Sequence, residues 1–182
     1  MDTSNKDNIG KSVNKLSPLA APRFDSEKFE QVLHYIIHKV GNQENVGKTV
    51  LFKLMYFCDF NYLEKYTEYL TGETYLKWNH GPAPIHFNDA IESLRNKKAI
   101  ALKRRSFFGH WQKKFLSQKL PSKDRLSEKE MAFIDELLQS LGKMKTKDIS
   151  SYSHNDIPWI ATENNQVIDY RLVFYRKTKR PL

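Results

Sequence analysis

Asp59 is the residue whose placement asks most of its surroundings. In the run Lys53-Leu54-Met55-Tyr56-Phe57-Cys58-Asp59 it falls, at about 100° per residue, among Phe52, Met55, Tyr56 and Leu63. The polar positions of the same predicted helix, Lys53, Asn61, Glu64 and Lys65, lie on another strip. A carboxylate among rings must be paired or hydrogen-bonded, because an isolated buried charge is strongly unfavourable. One chemistry open to it is general-base or metal-ligand work together with His80 and His154. The other is architectural: it accepts backbone N–H groups, or a proton from Trp78, His80 or His154, and fixes a loop. The architectural reading is preferred, since structural networks trap carboxylates as readily as active sites do.

Other candidates for chemistry are weaker. His34 and His38 stand at i, i+4, a ligand-compatible spacing, but no glutamate follows the first histidine as a zinc-protease motif requires. His80, His86 and His154 could meet only through tertiary folding, and with a single cysteine there is no Cys pair. No metal or other cofactor is therefore expected. Cys58 is mid-helix among aromatics, where burial raises a thiol's pKa and leaves it inert. Gly41 and Gly47-Lys48-Thr49 imitate a phosphate loop, with one residue too many between the glycines and no strand before them. The segment 100–117 is basic and aromatic together: Lys103, Arg104, Arg105, Lys113, Lys114 and Lys119 interleave with Phe107, Phe108 and Trp111. Such a mixture can stack bases and neutralise phosphates, or grip an acidic protein surface. It can also be a solvated hairpin with its rings turned inward.

These residues need elements to hold them. Asp25 or Ser26 caps a helix that lines up Phe29, Val32, Leu33, Ile36, Ile37 and Val40, with Gly41 as its stop. A second helix over about 46–66 is apolar nearly all round and is expected at the centre of the core. Thr71-Gly72-Glu73 is a turn, Tyr75 to Trp78 a short extended piece, and 79–84 a compact loop made by its prolines. A third helix turns Phe87, Ala90, Ile91 and Leu94 inward, and 100–105 with 111–117 forms a hairpin. Ser127 and Glu130 have capping-box spacing and open a helix with Met131, Ile134, Leu137, Leu138 and Leu141 on its core face. A short helix from Thr146 reaches about His154 and is broken at Pro158-Trp159; the alternation of Ile168, Tyr170, Leu172 and Phe174 predicts a final strand. The expected fold is α+β and mostly α: a helical core around one buried helix, with a small antiparallel sheet from the 100–117 hairpin and the C-terminal strand. Residues 1–23 read as an arm, 24–176 as one domain and 177–182 as a basic tail.

Composition narrows the classes. With 182 residues, 40% of them hydrophobic, the chain is long enough to bury a core and is not disordered throughout. No apolar run approaches the roughly eighteen residues of a membrane span, and one cysteine suits a reducing cytoplasm. The net charge of +9 suits nucleic acid, an anionic surface or an acidic protein partner.

Four motifs in order carry a resemblance. Lys53-Leu54-Met55-Tyr56-Phe57-Cys58-Asp59, Leu70-Thr71-Gly72-Glu73-Thr74-Tyr75, Lys77-Trp78-Asn79-His80-Gly81-Pro82 and His154-Asn155-Asp156-Ile157-Pro158-Trp159 resemble the signature of the SocA-like antitoxin, or Panacea, family. The resemblance implies an antitoxin that neutralises a cognate toxin protein by direct binding, without catalysis, and that in some members delivers it to a protease. It implies a scaffold in which Tyr56, Asp59, Tyr75, Trp78, His80, Gly81, Pro82, His154, Pro158 and Trp159 shape the fold. In that scaffold Trp78 and Trp159 are anchors, Gly81-Pro82 is a tight bend, and Asp59 clamps the bend to the central helix. Partner contact then falls to Arg104, Arg105, Phe108, Trp111 and Lys113 of the hairpin. The alternatives are a basic nucleic-acid-binding module and a metal-dependent enzyme built on Asp59, His80 and His154.

Overall fold

The computed structural model describes residues 21–107 and 109–177. Most of the predicted arm, most of the basic tail, and Phe108 lie outside the described residues. Among the described residues, six α-helices, α1 (Ser26–Val40), α2 (Lys48–Tyr66), α3 (Phe87–Asn96), α4 (Glu128–Leu141), α5 (Thr146–His154) and α6 (Ile157–Ile160), accompany two antiparallel two-stranded sheets. One sheet pairs β1 (Tyr75–Trp78) with β2 (Gly81–Pro84), the other β3 (Ile100–Phe107) with β4 (His110–Ser117). The mostly helical α+β class is as the sequence predicts.

α2 is the hub because its sequence leaves it no solvated face. Every residue from Lys53 to Leu63 is buried, and α1, α4, α5, β2 and the C-terminal segment all pack on it. The expected polar strip is half wrong. Lys53 and Asn61 are buried with the rings, Lys53 under the β1–β2 turn and Asn61 under Arg176. Local capping follows the sequence: Asp25 accepts the Lys28 N–H at 3.0 Å, and Ser127 with Glu130 closes the capping box of α4.

Two predicted elements differ. The 79–84 loop is a two-residue turn entering a strand, with Trp78 opposite Gly81 and Tyr75 opposite Pro84. Prolines are tolerated there because the register puts Leu76 opposite Ala83, which turns the Pro82 and Pro84 nitrogens away from β1. The expected C-terminal strand is a 3-10 helix, Tyr170–Tyr175. The Asp169 side chain accepts the Arg171 N–H at 2.9 Å and starts the turn. The buried Tyr170 and Val173 are three apart, the period of that helix. Extended pairing occurs just before it. The Lys77 N–H donates to the Gln166 carbonyl (2.9 Å) and the Ile168 N–H to the Tyr75 carbonyl (2.8 Å), so residues 165–168 run along the free edge of β1.

Candidate functional site: an inward motif network and an outward hairpin

Asp59 is fully buried and clamps the Thr71-Gly72-Glu73 turn to α2. One carboxylate oxygen accepts the Thr71 N–H at 2.8 Å, the Thr71 hydroxyl lies 2.8 Å from both oxygens, and the Tyr75 hydroxyl donates to the other at 2.6 Å. Burial pushes its pKa up to about 7 against the pull of these donors. In its protonated form the carboxyl can donate in turn to the equidistant Thr71 oxygen. The partners expected for it, Trp78, His80 and His154, are not the ones it has: the clamp closes on the turn before β1, not on the Gly81-Pro82 bend. Gly72 fits this turn because its φ is +69° and a Cβ there would collide with the Arg23 carbonyl. The neighbouring Glu73 is also fully buried. It accepts the Thr74 N–H at 2.6 Å and pairs with His86 Nδ1 at 2.9 Å, and burial raises its pKa.

The Gly81-Pro82 bend belongs to Lys53. Its ammonium donates to the His80 carbonyl at 2.5 Å and the Pro82 carbonyl at 3.3 Å, and burial lowers its pKa to about 8. Gly81 has φ +97°, and a Cβ there would stand 2.7 Å from Lys53 Nζ and 3.0 Å from His154 Nε2. His154 stacks on Trp159 (4.4 Å between centroids, 17° between planes), and the Lys77 ammonium sits 4.0 Å over the same indole. Trp159 is thus a half-buried anchor. Trp78, expected as its counterpart, is 50% exposed at the end of β1, and His80 gives the bend only its carbonyl.

A third centre was not legible as such. The Tyr56 hydroxyl donates to Asp156 at 2.8 Å, and Arg176 grips both oxygens of the same carboxylate at 2.8 and 2.6 Å. Arg176 also donates to Asn61 and Glu64. Burial opposes this charge, but the Asp156 carboxylate outweighs it and holds the guanidinium above its ordinary pKa. Arg176 ends the chain's last apolar run, where a basic residue reads as the start of a tail. Its one sequence signal is Asn61, a polar residue set between Phe60 and Tyr62 on α2. Pro158 is buried in the first turn of α6, two residues after Asp156.

His34, His38 and Cys58 have ordinary roles. His34 Nε2 and His38 Nδ1 both meet the Ser117 hydroxyl, at 3.1 and 3.2 Å. Burial pushes the Cys58 thiol well up. Among the described residues no group of three or more His, Cys, Asp or Glu side chains is placed to hold a metal ion. Asp59 lies six residues, about 9 Å of helix, from Lys53 and the His154 cluster, and the three members of the enzymatic alternative do not converge.

The β3–β4 hairpin turns the other way. Direct cross-strand partners share a face. Arg105 with Gln112 and Lys103 with Lys114 make one face; Arg104 with Lys113 and Ser106 with Trp111 make the other. On the first, Lys114 is buried and donates to the Gln43 and Val46 carbonyls, both at 2.5 Å, Arg105 pairs with Glu44 at 3.0 Å, and Gln112 lies against Gly47. On the second, Trp111 is 72% exposed, with the Arg104 guanidinium 5.9 Å from its ring and Lys113 exposed beside it. The reading in which the rings turn inward fails for Trp111.

Comparison with protein families places these residues. The model of the SocA-like antitoxin family, Panacea domain, matches residues 51–160, more than half of the chain. The chain belongs to this family. The matched stretch runs from the first turn of α2 through α6 and takes in the Asp59 clamp, the Lys53 bend, Asp156 and the hairpin. α1 and the Arg176 segment lie outside it. No curated protein and no solved structure matches the chain. Among the described residues no helix is long and apolar enough to cross a membrane.

Proposed function

We propose that this member of the SocA-like antitoxin family neutralises a toxin protein by direct binding and carries out no catalysis of its own. Family membership supports the antitoxin role. The observation that carries the mechanism is the direction of the signature residues. Lys53, Tyr56 and Asp59 are each no more than 1% exposed, and each is bonded to a turn or to the C-terminal segment. Groups committed in this way hold a scaffold, and partner choice falls to the surface the scaffold presents.

The test is co-expression with the product of the neighbouring reading frame. That product should arrest growth alone and be harmless beside this chain; arrest that persists despite soluble antitoxin refutes the proposal. The toxin's level separates two routes. An unchanged level under rescue means occlusion, and a falling level means delivery to a protease.

A further inference from the structure

The distal half of the β3–β4 hairpin has one face fixed and one face free, and from this we propose that the Arg104–Trp111–Lys113 face is the toxin-docking surface, built to receive an acidic patch that accepts an indole. The inference rests on the antitoxin reading above and names the chemistry of the contact.

The fixed face is held by the loop after α1: Lys114 by two carbonyls, Arg105 by Glu44 and Gln112 against Gly47. The hairpin base is held by the core, where Phe115 is buried and meets Phe87 edge-on at 5.8 Å. The strands therefore cannot swing, and a partner that lands on the opposite face loses little conformational freedom in ordering them. That face offers a large indole exposed to 72%, a guanidinium beside its ring, and a lysine directly opposite the guanidinium. Trp and Arg are the residues that most often dominate binding energy at protein interfaces.

Charge complementarity sets the occupant. Arg104 and Lys113 have no carboxylate partner among the described residues, in a chain of net charge +9, so an acidic surface is what they attract. Protein is favoured over nucleic acid by the count of free cations. Arg105 is neutralised by Glu44, Lys114 is turned inward and Lys103 lies on their face, which leaves Arg104 and Lys113 on the docking face. Two charges make a small patch for a phosphate backbone but suit a few Asp or Glu side chains around one aromatic anchor.

The experiment uses the full chain, the toxin from the neighbouring reading frame, and a 30-base-pair duplex DNA as a competing probe. Trp111→Ala should weaken toxin binding about 30-fold or more. Arg104→Glu with Lys113→Glu should weaken it by at least about tenfold and flatten its salt dependence. Both variants should lose growth rescue while melting at the wild-type temperature. Leu120→Ala, 82% exposed outside the hairpin, should bind and rescue as wild type. If the wild type rescues and both hairpin variants bind as tightly, the docking face is wrong and the antitoxin reading stands. If the wild type itself does not rescue, both fall. DNA binding that falls steeply with salt and is lost with the charge reversal assigns the face to nucleic acid and overturns the proposal.

Discussion

The α2 centre and the distal hairpin are built from the same kinds of residue, charged groups set among aromatic rings, and use them in opposite directions. Around α2 each charge is closed off by a partner: Asp59 by Thr71 and Tyr75, Lys53 by two carbonyls, Asp156 by Arg176. On the hairpin, Arg104 lies beside the Trp111 ring, and that indole is mostly in water. On the docking proposal, the difference separates a family's signature from a protein's specificity. Residues that every copy of a scaffold needs to close are hidden, and a partner meets what lies outside them.

That contrast can be broken by mutation. The largest effect is expected at Asp156→Ala, which takes from buried Arg176 the carboxylate it grips twice and leaves it Glu64 alone among its carboxylate partners; urea unfolding should show a loss of about 3–5 kcal/mol. An unchanged midpoint would mean that Arg176 reaches solvent. Next in size is the pH profile. Asp59 has its pKa raised to about 7 in the folded chain, so the native state holds a proton that the unfolded chain gives up near pH 4. Its contribution to stability is full below that range and is lost as pH rises to about 7, by about 4 kcal/mol. Lys53, lowered to about 8, works in the other direction. The unfolded chain binds the extra proton between pH 8 and 10.5, and stability rises across that window by about 3 kcal/mol. Denaturation midpoints should show the first slope in the wild type but not in Asp59→Asn, and the second should vanish in Lys53→Met. Gly81→Ala forces a side chain to φ +97° against Lys53 and His154 and should cost at least about 2 kcal/mol. Smallest of all, Trp111→Ala and Arg104→Ala should move stability by no more than about 0.5 kcal/mol, as exposed positions do. A large loss there would show that the hairpin face supports the fold.

The sequence made α1 and α3–α5 legible by their apolar stripes, with caps at Asp25 and Ser127, and α2 by rings nearly all round it, whereas α6 falls where Pro158-Trp159 reads as a break. It also showed that Asp59 needed partners, since no solvated face was left for it. What it could not show was who those partners were. Thr71 and Tyr75 lie only 12 and 16 residues away, yet Trp78, His80 and His154 looked equally available until the chain's path was fixed. Lys53 was misassigned because its helix position reads as polar, while the feature that buries it, a strand containing two prolines, looks like a loop. Arg176 is a related case: a basic residue that closes a run of apolar ones at the edge of the predicted domain does not announce the carboxylate 20 residues earlier that it grips. The final strand failed because alternation over a few residues fits a three-residue turn as well, and Asp169 favours the turn.

The position of α1 has a consequence for how this protein can be cut. The family match begins at residue 51, yet Ser26–Val40 packs against α2, α3, α4 and β4, and its Leu33, Ile36 and Ile37 are almost wholly enclosed. A fragment trimmed to 51–160 would carry a bare apolar trench where that helix lay, and would also lack the arginine that neutralises Asp156. Such a fragment should appear in inclusion bodies. What recurs among relatives as a unit of inheritance is, in this molecule, less than a unit of folding.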